Sequence, residues 1–116
     1  MNKFMIKKTF CFDIDNVICK TKGRNYRNSR PIYNAIKKIS DLYEKGHTIK
    51  IFTARYMGRN KDNSVLAKKQ GKNLTLKQLK KWGVRYHKLY MSKPAFDLLI
   101  DDKAYGYKKD WYRKIK

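Results

Sequence analysis

Thr9-Phe10-Cys11-Phe12-Asp13-Ile14-Asp15 reads as a short buried strand that ends abruptly on two carboxylates. An apolar and aromatic run of this length, stopped by polar residues, is the pattern of a strand covered on both faces of a parallel sheet. A second such tip follows far along the chain, where Leu98-Leu99-Ile100 runs into Asp101-Asp102. Four of the nine acidic residues thus sit in two tight pairs, in a chain whose formal net charge is +21. If the two strand tips are neighbours, that concentration of carboxylates calls for a hard divalent cation with oxygen ligands, magnesium above all.

Outward from the first tip, the chain alternates strand and helix signals. Residues 8–13 form the first strand, and a polar, basic loop follows at about 20–30. Pro31 opens a helix, Ile32, Ala35, Ile36, Ile39, Leu42 and Tyr43 recur at helical spacing, and Gly46 closes it. A second strand runs over Thr48–Thr53. The stretch 54–73 is polar and basic apart from Val65-Leu66-Ala67 and reads as a second flexible loop. Thr75 and Gln78 make a capping box, Leu74 and Leu79 its hydrophobic staple, and the helix they open stops at Gly83. Strands follow at 86–91 and at Phe96–Ile100, and Tyr107, Trp111 and Tyr112 suggest a short packed helix at the end. The order predicts one α/β domain over 1–116, a three-layer sandwich about a small parallel sheet. Its ligand site would lie beyond the C-terminal strand ends.

Composition narrows the class. The chain is 41% hydrophobic and its 30 Lys and Arg lower the mean hydropathy, so a folded core is expected rather than disorder. No apolar run approaches the roughly 20 residues of a membrane helix, and the N-terminus lacks the apolar segment of a signal peptide, which predicts a cytoplasmic protein with no membrane partner. Cys11, in a buried strand, and Cys19 read as reduced thiols rather than a disulfide or zinc pair. The charge fits either a nucleic-acid surface or a compositional skew toward Lys, Asn, Ile and Tyr, because the lysines are spread along the whole chain. In both cases the field draws in anionic substrates.

Asp13 and Asp15, Thr53, and Asp101 with Asp102 all fall at the C-terminal end of an expected strand, and Lys93 lies in the loop between the last two strands. Each is weak alone: a D-x-D recurs by chance, Asp101-Asp102 suits a turn or helix cap, Thr53 suits any strand end, and Lys93 suits any surface. Together, on one rim, they are what phosphoryl transfer through an aspartyl phosphate requires. An ionised carboxylate can attack phosphorus, a divalent cation neutralises the phosphate, and a hydroxyl and an ammonium cradle its oxygens. His47 and His87 have no evident partner.

These residues resemble the haloacid dehalogenase (HAD) superfamily of phosphohydrolases over nearly the whole chain. Its four motifs are matched in order by Asp13-Ile14-Asp15-Asn16-Val17, by Thr53 in Ile51-Phe52-Thr53-Ala54-Arg55, by Lys93 in Ser92-Lys93-Pro94, and by Asp101-Asp102. The resemblance implies that Asp13 is the nucleophile and Asp15 the general acid and base. Thr53, Ala54, Arg55 and Lys93 would bind the phosphoryl group and substrate. Asp13, Asp15 through its carbonyl, Asp101 and Asp102 would hold magnesium. The departure is at Asn16-Val17, where the family commonly has Gly-Thr; retention of both Asp13 and Asp15 favours a phosphatase. A response-regulator receiver domain gathers similar groups but places its adjacent acidic pair near the N-terminus, whereas here the pair comes last.

Neither basic loop can hold a folded cap domain, so the site is expected to be open, suited to a large substrate or to a neighbouring subunit of a homo-oligomer as its lid. Arg24, Arg27, Arg30, Arg55, Arg59 and Lys61 are the candidate clamps for an anionic leaving group. Tyr43-Glu44-Lys45-Gly46-His47, Trp82-Gly83-Val84-Arg85-Tyr86-His87 and Ile100-Asp101-Asp102-Lys103-Ala104 further resemble small phosphatase-like proteins of capsule and surface polysaccharide biosynthesis. That similarity implies a phosphosugar or nucleotide-linked sugar as substrate. Two alternatives stand beside it: a phosphatase of nucleic-acid ends or nucleotides, and a non-catalytic basic binding module that keeps the fold.

Overall fold

The computed structural model describes residues 6–115. Three parallel strands form its sheet: β1 (Thr9–Phe12), β4 (Thr48–Phe52) and β5 (Lys88–Tyr90), in the order β1-β4-β5. Between β1 and β4 the chain makes a two-residue antiparallel ribbon, β2 (Cys19–Lys20) with β3 (Arg30–Pro31), and then helix α1 (Tyr33–Glu44). Helix α2 (Ser64–Lys81) joins β4 to β5. A small α/β domain with a parallel sheet is therefore observed.

The register explains where the core sits. Phe10 pairs with Ile49, and Phe12, Ile51 and Leu89 are aligned across the three strands, so these side chains share one face. Against it lie Ala35, Ile36, Ile39 and Leu42 of α1, Leu79 at the end of α2 and Trp82 just after it. Cys11, Lys50, Phe52, Lys88 and Tyr90 point to the other face, where each keeps part or all of its exposure. Cys11, expected in a buried strand, is exposed for that reason. The described residues do not supply a third layer over this face.

Both histidines find partners in the sheet. His47 Nδ1 accepts the Lys8 N–H at 3.0 Å, and His87 Nδ1 accepts the Ile49 N–H at 3.0 Å, so each ring continues a ladder where a backbone carbonyl would otherwise serve.

Several boundaries move. Pro31 does not open α1: it pairs with Cys19 in the ribbon, and Ile32, extended and donating to the Ile18 carbonyl, is the residue before the helix. Gly46 and Gly83 do end the helices, each at positive φ. The expected loop 54–73 is only half loop, because α2 begins at Ser64, capped by the Asn63 side chain, which accepts from the N–H groups of Val65 and Leu66. Thr75 and Gln78 are thus buried mid-helix residues rather than a capping box. The 20–30 stretch is likewise organised, by β2, β3 and a 3-10 turn at Tyr26–Asn28.

The fourth strand is not formed. Phe96–Ile100 pairs with no other segment among the described residues, and Leu98, Leu99 and Ile100 are 77%, 52% and 90% exposed. To pair with β1 this segment would have to lie along its outer edge. The chain instead leaves the rim at Lys93 and returns at Tyr107 and Trp111. The Tyr107 hydroxyl donates to the Asn16 carbonyl at 2.6 Å and Trp111 Nε1 to the Val17 carbonyl at 3.1 Å. No helix among the described residues is long and apolar enough to cross a membrane.

Candidate active site

The turn after β1 builds the centre of the site. The Ile14 carbonyl accepts the N–H groups of Val17, Ile18 and Cys19, which winds the chain tightly, and the Ile14 N–H in turn bonds Asp13 Oδ1 at 2.8 Å. Asn16 sits in the left-handed region at φ 66°. That backbone explains the departure from Gly-Thr: glycine enters it without strain, and asparagine is among the few other residues that tolerate it.

Across 80 residues of sequence, Lys93 Nζ reaches Asp13 Oδ2 at 3.2 Å. Its backbone is fixed to β4, since the Lys93 N–H donates to the Thr53 carbonyl at 3.1 Å while the Thr53 N–H donates to the Tyr90 carbonyl at 2.9 Å. Asp13 and Lys93 are thus in contact at the C-terminal rim of the sheet, with Thr53 tied to Lys93 through the backbone. Burial pushes the Asp13 carboxyl above the usual carboxylate range, opposed by the Lys93 ammonium and the Ile14 N–H. Thr53 is fully buried, and its hydroxyl accepts the Arg55 N–H at 3.1 Å.

Arg55 is turned inward rather than toward a substrate. It is 1% exposed, and its Nε and Nη2 grip Asp15 at 2.9–3.2 Å while Nη1 donates to Gln78 Oε1 at 2.5 Å and to Thr75 Oγ1 at 3.4 Å. The Thr21 hydroxyl donates to Asp15 Oδ1 at 2.5 Å, and the Tyr26 ring lies 4.9 Å from the guanidinium carbon. Asp15 is thus held in one orientation by a buried, fully bonded cation. Sequence reasoning missed this network. The available signal was the stripe Ala67, Gly71, Thr75, Gln78, small and polar residues three or four apart that share one helix face.

Asp101 and Asp102 do not join the cluster. Asp101 Oδ1 accepts the Lys103 N–H at 2.9 Å within its own turn, and both residues are exposed. Among the described residues no three His, Cys, Asp or Glu side chains are grouped so as to hold a metal ion. Of the expected carboxylates, Asp13 is the one left to a magnesium ion, beside the Asp15 carbonyl that the resemblance implies; Asp15 Oδ1 is taken by Arg55 and Thr21, while its Oδ2 accepts from Arg55 Nε. One carboxylate completed by water and substrate phosphate is a common magnesium setting.

A cleft of about 330 Å³ opens beside Asp13 and Lys93, lined also by Arg24, Tyr26, Ala54 and Phe96. Ala54 is thus at the cleft wall, between buried Thr53 and Arg55.

No family model matches the chain, and no curated protein does. Its structure is similar to a crystal structure of a Vibrio cholerae protein, with a TM-score of 0.83 at 24% identity over 96% of this chain and 90% of that one. At that identity the likeness shows a shared fold.

Proposed function

We propose that the chain is a phosphomonoesterase of the HAD kind, with a capless, HAD-like core, working through an aspartyl phosphate on Asp13. The observation that supports this best is the contact of Lys93 with Asp13 at the sheet rim, where the Lys93 N–H is also bonded to the Thr53 carbonyl, three residues picked out by order in the sequence. In this reading an Asp13 oxygen attacks phosphorus, the bond to the leaving oxygen breaks, and that oxygen departs with the electron pair and takes up a proton. Water then attacks phosphorus, releasing phosphate and restoring Asp13. Lys93 holds the nucleophile and balances the negative charge that gathers as phosphate arrives. Asp15 is the acid and base of the proposal, and Arg55 its positioning residue. Magnesium belongs to the proposal as a requirement, with no step assigned to it.

The favoured substrate is a phosphosugar or nucleotide-linked sugar. The net charge of +21 favours a second reading, a phosphatase of nucleic-acid ends, whose binding would weaken steeply with salt. A screen of phosphorylated metabolites and of 3'- and 5'-phosphorylated oligonucleotides, with and without magnesium, tests both. The expected result is metal-dependent phosphate release that disappears in Asp13→Asn while circular dichroism shows the fold intact. Hydrolysis unchanged by Asp13→Asn would reject the mechanism, and a flat screen would favour a non-catalytic basic module.

A further inference from the structure

Six cations flank the site in sequence, and the structure separates them. Arg55 is spent on Asp15, and the Arg59 guanidinium lies 4.6 Å from the ring of its own neighbour Tyr56. Arg27, Arg30 and Lys61 are exposed and outside the cleft lining. Arg24 alone of the six lines the cleft. Its guanidinium lies over Gly58, with Nη2 about 3.4 Å from where a Cβ would stand, an ordinary contact distance. Arg24 forms no ion pair among the described residues, whereas Lys93, the other cation of the cleft, is already in contact with Asp13.

The remaining lining is aromatic. Tyr26 is fixed, since its carbonyl accepts from Gln78 Nε2 at 2.6 Å and its ring lies 5.1 Å from that of Tyr56. Phe96 is 46% exposed, with Lys93 Nζ 5.3 Å from its ring centre. Aromatic walls offer apolar contact to the C–H face of a ring. A volume of 330 Å³ equals about eleven water molecules, the low end for a ligand pocket. That holds a phosphate and one ring.

Resting on the phosphatase reading above, we propose that this cleft selects a single-ring phosphate ester carrying a second anionic group, phosphate or carboxylate, which Arg24 receives. The planar guanidinium suits either anion through paired N–H donors.

The test compares glucose 1-phosphate, glucose 1,6-bisphosphate and glucuronic acid 1-phosphate by calorimetry on the Asp13→Asn protein, where binding is read without turnover. The two doubly anionic probes should bind roughly tenfold more tightly than glucose 1-phosphate, the worth of one good charge-assisted contact. Adding Arg24→Ala should erase that preference, and adding Arg27→Ala, which removes the same charge outside the cleft, should leave it. Equal binding of all three probes, or a preference that survives Arg24→Ala or is lost equally with Arg27→Ala, overturns the inference. Selective binding by a wild-type protein that hydrolyses none of the probes would sustain the inference and count against the phosphatase reading.

Discussion

At the scale of single residues, two carboxylates one residue apart have been given opposite surroundings. Asp13 faces the cleft beside a lysine, with burial raising its pKa. Asp15 is gripped from within by Arg55, whose donors are satisfied by Asp15, Gln78 and Thr75. Breaking one side of a buried ion pair leaves an uncompensated charge, and about 3–5 kcal/mol is the usual cost. Asp15 keeps some solvent contact, so Arg55→Met should lie toward the lower end, at about 3 kcal/mol, read as a fall in the urea midpoint at constant m. Loss below about 1 kcal/mol would mean that the network is not structural. The sequence made Asp13, Thr53 and Lys93 legible because each follows or adjoins a strand. It hid the role of Arg55, because burial of a cation depends on partners 20 and 23 residues away on α2.

At the scale of elements, the sheet and α1 were readable, since the apolar stripe of α1 and the runs of β1 and β4 carry strong periodic signals. Helix α2 was half hidden. Its inward face is Ala67, Gly71, Thr75, Gln78 and Leu79, so the first three turns bury small or polar groups and show almost no apolar period. Gly71 is not a flexible link but a close approach: a Cβ there would fall 2.2 Å from Cδ2 of Tyr56, a ring packed between Tyr26 and Arg59. Gly71→Ala should gain about 1 kcal/mol of helix propensity and lose more to the clash, for a net destabilisation of about 1–2 kcal/mol by urea unfolding. A more stable Gly71→Ala protein would show that Tyr56 moves aside freely.

At the scale of the whole molecule, the sheet is covered on one face and β1 has no partner on its outer edge among the described residues. The apolar run Leu98–Ile100, which reads as a strand by composition, stays exposed, and residues 94–109 are exposed throughout. A short apolar run states a preference for burial; whether it pairs depends on where the flanking chain is anchored, and that is not local information. Few ladder bonds protect this segment, so its amides should exchange with solvent within seconds, whereas those of β4, paired on both sides, should persist orders of magnitude longer. Hydrogen exchange resolved by peptide checks this, and protection of 98–100 equal to that of β4 would show that a fourth strand forms in solution. The same segment leads into Asp101 and Asp102, so the expected metal ligands that stay apart follow the one expected strand that does not form.

The central claim is that Asp13 takes a phosphoryl group. Acid quenching during turnover of a substrate found in the screen, followed by mass spectrometry of the peptide that contains residue 13, tests it most directly. A phosphoryl adduct on Asp13, absent from Asp13→Asn, is the predicted result; steady phosphate release with an unmodified Asp13 and an active Asp13→Asn protein would contradict it.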